Sequence, residues 1–146
     1  MKMTNEEYKK YTEEHSPRSK SGSNLLRAFL IGGGICVLGQ GITDGLTALG
    51  LEKTGASAGC SIGLIFLGAL LTGLGVYDRI AKFAGAGTLV PITGFANSVV
   101  APALEFKTEG FILGVAAKMF IISGPVIVYG ITASFIYGLL LLLFGA

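Results

Sequence analysis

The sequence predicts an all-α integral membrane protein with about four to five transmembrane helices, one of them broken. Three observations carry this. Of 146 residues, 51% are apolar and only 14% charged, against about 25% charged in a soluble domain. Residues 1–27 hold 10 of the 20 formal charges. Beyond them lie long uncharged stretches at 28–43, 54–77, 83–104 and 119–146; a spanning helix needs about 20 mostly apolar residues, which the first stretch reaches if Arg27 and Asp44 sit at the interfaces. The same numbers exclude a disordered chain. Two cysteines exclude a disulfide scaffold, and 23 glycines without a Gly-X-Y period exclude collagen.

Residues 1–24 read as a charged tail, with a short helix over 6–14 and a break at Pro17 and Ser21-Gly22-Ser23. A cleaved leader fits poorly, because the apolar run begins only at Leu25 and further apolar segments follow. The membrane domain, 25–146, divides into spans at about 25–49, 57–76, 84–104, 110–124 and 125–144. The first two carry small residues at four-residue spacing, Gly41/Gly45, Gly59/Gly63 and Ala69/Gly73, which lets helices approach closely. The third has the length of a span without its texture. Gly85, Gly87, Pro91, Gly94 and Pro102 interrupt it, and Asn97 and Ser98 add polarity. It reads as two half-helices with a break near Pro91–Gly94, either re-entrant or crossing, since such backbone survives at membrane depth only inside protein or beside water. The stretch 111–144 is about 51 Å as a helix, longer than one hydrocarbon core of about 30 Å. Gly124-Pro125 divides it, either as a hairpin of two helices, the preferred reading, or as a kink.

Arg and Lys concentrate in 1–27 and again at Arg79 and Lys82. Both therefore fall on the cytoplasmic side, with the 51–56 loop opposite.

Polar residues within membrane segments are the candidates for function. Gln40 and Asp44 share one helix face, unless Asp44 simply ends the helix at the interface. Asp78-Arg79 is either an interfacial ion pair or a gate. The stretch containing Gly85, Gly87, Pro91, Thr93, Gly94, Asn97 and Ser98 is the strongest candidate, because a helix starting inside it would aim free N–H groups at an anion. Glu105 belongs to a charged loop with Lys107 and Glu109. Lys118 either snorkels or faces a pore. Cys36 and Cys60 read as small apolar residues. With one histidine, His15, on the tail, no catalytic or metal constellation and no cofactor site is expected. A membrane enzyme is disfavoured on the same ground. The near-balanced tail gives no support for nucleic-acid binding.

The run YDR at 77–79, FAGAG at 83–87, VPITGFANS at 90–98 and ALEFK-EG at 103–110 resembles the stage V sporulation protein AC/AE-b family of endospore-forming bacteria. The likeness extends back through 28–41, and the charged tail resembles the longer of the family's two branches. The resemblance implies a multi-pass protein of the spore (forespore) inner membrane. It implies passage of dipicolinic acid, with calcium, into the forespore and out during germination, through a channel that responds to membrane tension. It also implies partners: membrane lipid, other stage V sporulation A proteins (the AE-b relative and the soluble AD member), and copies of the chain itself. The alternative is a non-conducting scaffold that recruits such proteins through the tail.

Overall fold

In a computed structural model, which describes residues 4–15 and 20–145, the chain is helical throughout, with no strand among the described residues. The tail helix α1 spans Asn5–His15, as the charge pattern predicts. Thr4 and Glu7 start it with a reciprocal capping box. The Thr4 N–H donates to Glu7 Oε2 at 2.9 Å, and the Glu7 N–H donates to Thr4 Oγ1 at 3.3 Å. The backbone bond from Thr4, then its hydroxyl, holds the Glu7 carboxyl below the ordinary glutamate range.

Helix α2 is Ser21–Ala48 and α3 is Lys53–Gly73. Both are long and apolar enough to cross a membrane. Ser21-Gly22-Ser23 belongs to the first turn of α2 instead of breaking the chain, and the other half of that expected break, Pro17, lies outside the described residues. Between α2 and α3, Gly50 at φ +92° supplies the left-handed turn that glycine adopts without strain.

The two helices pack along a seam of small residues. Gly39 lies buried under Cys60 and Leu64, and the Cys60 thiol donates to the Gly39 carbonyl at 3.2 Å. Gly59 and Gly63 receive Leu46 and Ile42. By contrast Gly41, Gly45 and Gly73 have nothing within 4 Å of where a side chain would start, so the expected Gly41/Gly45 pair and the glycine of Ala69/Gly73 face no helix. Spacing alone selected them; the rotation of each helix decides which glycines meet a neighbour.

Segment three departs from expectation in its layout. Helix α4, Val76–Ala84, follows Gly75 as a separate short element. A 3-10 turn, Gly85–Leu89, comes next, and α5 then runs from Pro91 to Glu105. The break therefore sits at Gly85–Val90, upstream of Pro91–Gly94. Proline at the first helical position needs no N–H and starts α5 instead of interrupting it.

The C-terminal stretch is one continuous helical segment. A π-helical turn, Phe111–Ala116, leads into α6, Phe120–Phe144, which passes through Gly124-Pro125. The preferred hairpin is not what forms. Prolines are tolerated inside membrane helices, where neighbours and local adjustment re-satisfy the freed carbonyl. The segments long enough to span are thus 21–48, 53–73 and 111–144, with α4, the 3-10 turn and α5 as the broken element packed among them.

Candidate functional site

The centre of the molecule is the seam where α5 crosses α3. Every fourth residue of α3 is buried: Ala56, Cys60, Leu64 and Gly68. The first three extend the α2 contact, and Gly68 takes α5. A methyl group built on Gly68 would lie 3.2 Å from the Thr93 carbonyl oxygen and 3.3 Å from the Ala96 Cβ, so the backbones nearly touch. One turn further along, the Thr72 hydroxyl lies 2.6 Å from the Gly68 carbonyl oxygen and 2.9 Å from the Asn97 amide oxygen. A hydroxyl has one proton to give. With the Asn97 amide turned end for end, its NH2 donates to Thr72 Oγ1 while Thr72 donates to Gly68, and both bonds are made. Asn97 is therefore spent on holding α5 against α3. Its replacement by leucine is expected to weaken this seam by about 1 kcal/mol, in the range measured for hydrogen bonds between membrane helices. A double-mutant cycle with Thr72→Val in a detergent unfolding assay checks this; additive losses would contradict it.

The 3-10 turn is wedged between α2 and α4. Tyr77, buried on α4, donates its hydroxyl to the Thr88 carbonyl at 2.8 Å, and Thr88 Oγ1 donates to the Gly85 carbonyl at 3.1 Å. Gly85, at φ +55°, turns the chain out of α4. Gly87 rests on the α2 backbone: a Cβ there would stand 2.5 Å from the Ala28 carbonyl oxygen. Gly94 likewise leaves room for the Thr88 carbonyl oxygen, 2.9 Å from where its Cβ would be. Thus Gly85, Gly87, Pro91, Thr93 and Gly94 do come together, as the architecture of the break. Thr93 donates weakly to the Val90 carbonyl, and Ser98 to Phe95, at 3.5 and 2.8 Å. Ser98 borders a second cleft, with Leu89, Pro91, Gly94 and Phe95 facing Ile122 and Val126 of α6.

Gln40 and Asp44 lie elsewhere. Gln40 Nε2 donates to Asp44 Oδ1 at 2.7 Å, and both side chains are exposed. Gly39 beside them is the residue that faces α3, so this pair points away from the bundle. Gly33, Cys36, Gln40, Asp44 and Thr47 follow one another at three- and four-residue steps, and all five are exposed. They form one outward stripe along a spanning helix. Gln40 lies roughly 18 Å along α2 from the Ala28 contact with Gly87, at 1.5 Å per residue.

The remaining candidates take up local duties. Asp78 pairs with Lys82 at 2.7 Å, one turn along α4, and not with Arg79; the expected Asp78-Arg79 pair does not form, because adjacent helical residues point apart. Lys118 folds back over the Phe106 ring at 4.1 Å from its centroid and sits 3.8 Å from Glu109. Glu105 is exposed at the end of α5. Among the described residues no three histidine, cysteine or carboxylate side chains gather to hold a metal ion. Sequence reasoning missed Tyr77 and Thr72 as anchors of the break; both are aromatic or hydroxyl side chains near span ends, which composition does not separate from interfacial ones.

Comparison with known proteins places these features in context. A family profile described as SpoVAC/SpoVAEB sporulation membrane protein matches residues 24–140. Stage V sporulation protein AC of Bacillus subtilis (strain 168) is 45% identical over 141 residues, covering 94% of each chain. No solved structure matches.

Proposed function

The chain belongs to the SpoVAC/SpoVAEB sporulation membrane protein family, and from that premise we propose that it is a subunit of a spore inner-membrane channel for dipicolinate and calcium. The observation that carries the reading is the outward stripe on α2. A carboxylate and an amide on the exposed face of a spanning helix are costly against lipid. They are stable where that face borders water or another protein. Copies of the chain, or a relative, set around a shared axis with this face inward would enclose an aqueous path lined by glycine, Gln40, Asp44 and Thr47.

The cargo suits such a lining. Dipicolinate at neutral pH is a dianion, and its one-to-one pair with calcium carries no net charge. A short polar stripe with a single carboxylate neither traps the pair nor repels it. At Gly87 the 3-10 turn meets the α2 backbone with no side chain between them, a contact that can shift when tension favours a larger area. The protein would act beside other stage V sporulation A proteins, and no bond-making chemistry is assigned to it.

A scaffold reading draws on the exposed, capped α1, a ready handle for a soluble partner. The two separate in spores of a strain lacking its own family member. Complementation with the chain is expected to restore dipicolinate content. The Gln40→Leu/Asp44→Leu double variant, inserted at equal level, is expected not to restore it, whereas deletion of 1–20 is expected to restore most of it. Full restoration by the double variant and none by the deletion would favour the scaffold.

A further inference from the structure

The corner where α2 begins and α4 ends holds a half-open cavity of about 390 Å³. One wall carries Ser21, Asn24 and Arg27, and the other carries Lys82 and Phe83. The Arg27 guanidinium lies over the Phe83 ring, its Cζ 4.7 Å from the centroid. A guanidinium held over a ring keeps N–H groups free for an acceptor. The ion pairs among the described residues are Lys82–Asp78 and Lys118–Glu109, so Arg27 enters the cavity with no carboxylate upon it. Lys82 and Asp78 are 76% and 66% exposed, a weak and screened pair that a stronger anion can share.

The corner also sits at a defined depth. Helix α4 buries Tyr77 and Ala84 and exposes Asp78, Arg79 and Lys82, the pattern of a helix lying in the membrane interface. Arg27 is two residues past Leu25, where the apolar run of α2 begins. The cavity therefore opens at the border of water and hydrocarbon on the side of the tail. Its remaining lining includes Leu25, Ala28 and Ala84, so it offers cations above and apolar wall below.

We propose that this corner cavity binds the phosphate of an anionic phospholipid, with Arg27 on Phe83 as the main contact and Lys82 as the second. A two-ended lining fits a ligand with an anionic head and an apolar body. An excess of cations in the lining, Arg27 and Lys82 with Asp78 beside Lys82, selects lipids whose head keeps its negative charge over zwitterionic ones. The site is independent of conduction: it lies at the opposite end of α2 from Gln40 and Asp44.

The test is native mass spectrometry of the full chain in detergent, delipidated and then titrated with phosphatidylglycerol, phosphatidylcholine or inorganic phosphate. The chain is expected to retain phosphatidylglycerol over phosphatidylcholine. Arg27→Gln should lower that retention by about fivefold, the effect of one interfacial cation. Phe83→Leu should lower it less, by releasing the guanidinium, and Lys53→Gln in the opposite loop should not change it. Helicity by circular dichroism checks that the variants fold. Equal retention of phosphatidylglycerol by the native chain, Arg27→Gln and Phe83→Leu would overturn the proposal. Inorganic phosphate bound through Arg27, with lipid retention indifferent to it, would keep an anion site and overturn its assignment to lipid.

Discussion

Gly87→Val is expected to give a protein that inserts but loses the packing of the 3-10 turn on α2. The reason is geometric. Even the first carbon of a side chain at Gly87 would stand 2.5 Å from the Ala28 carbonyl oxygen and 2.8 Å from its Cα. Both are backbone atoms of a helix, so neither can swing aside as a side chain could. The 3-10 turn must lift, and Tyr77 then loses the Thr88 carbonyl while Gly32 loses its neighbour at Gly87. Overpacking costs about 1–3 kcal/mol and sometimes more, and a buried carbonyl left unpaired adds about 1–3 kcal/mol. The loss should appear as a clear fall in the thermal midpoint in detergent. Gly45→Ala is the control: nothing lies within 4 Å of that position, so its effect should be near zero or stabilising, because alanine favours a helix over glycine. Equal midpoints for the two variants would refute the account of the corner.

The second large effect concerns the stripe on α2. Gln40→Leu with Asp44→Leu removes both members of the 2.7 Å pair. Both side chains are exposed, so the fold should persist and the helix should insert more readily, since an aspartate is costly within a span. Flux, however, should fall by at least about tenfold, which corresponds to about 1.4 kcal/mol of added barrier. Leucine there makes a hydrophobic constriction, and such constrictions close pores by dewetting. A variant that folds and inserts at least as well yet conducts less is the signature of a residue kept for function instead of for folding.

How much of this was legible beforehand follows from the physics of each element. α3 announces itself as an uncharged stretch of spanning length, and α2 as one that reaches it once Arg27 and Asp44 stand at the interfaces; the structure starts each of them four residues before the expected span, because polar residues such as Ser21 and Asn24 prolong an apolar helix at small cost. The broken segment was visible in its glycines and prolines, but its breaking point was not. Pro91 looks the same in sequence whether it ends a helix or starts one; what decides is the approach of Gly87 to Ala28, a contact between residues far apart in the chain. Gly124-Pro125 misled for a related reason. Its penalty in water is large, yet prolines are tolerated within membrane helices, and α6 runs on through it. In the site, spacing put Gln40 and Asp44 on one face correctly but could not say which way that face looks, because apolar residues surround α2 and only the contacts of Gly39, Ile42 and Leu46 with α3 fix its rotation. Asn97 stands out in the sequence by its polarity, but its partner Thr72 lies 25 residues away on another helix, beyond the reach of local pattern.

The most direct test of the central claim is dipicolinate release from liposomes that carry the purified chain, with calcium present, before and after an osmotic downshift. The account predicts release that rises on the downshift, is absent from empty liposomes, and falls at least about tenfold in the Gln40→Leu/Asp44→Leu variant at equal insertion. Release that is the same in the variant would contradict the assignment of the path to the α2 stripe. No release from correctly inserted native protein, alone or co-reconstituted with its AE-b relative, would contradict the channel itself.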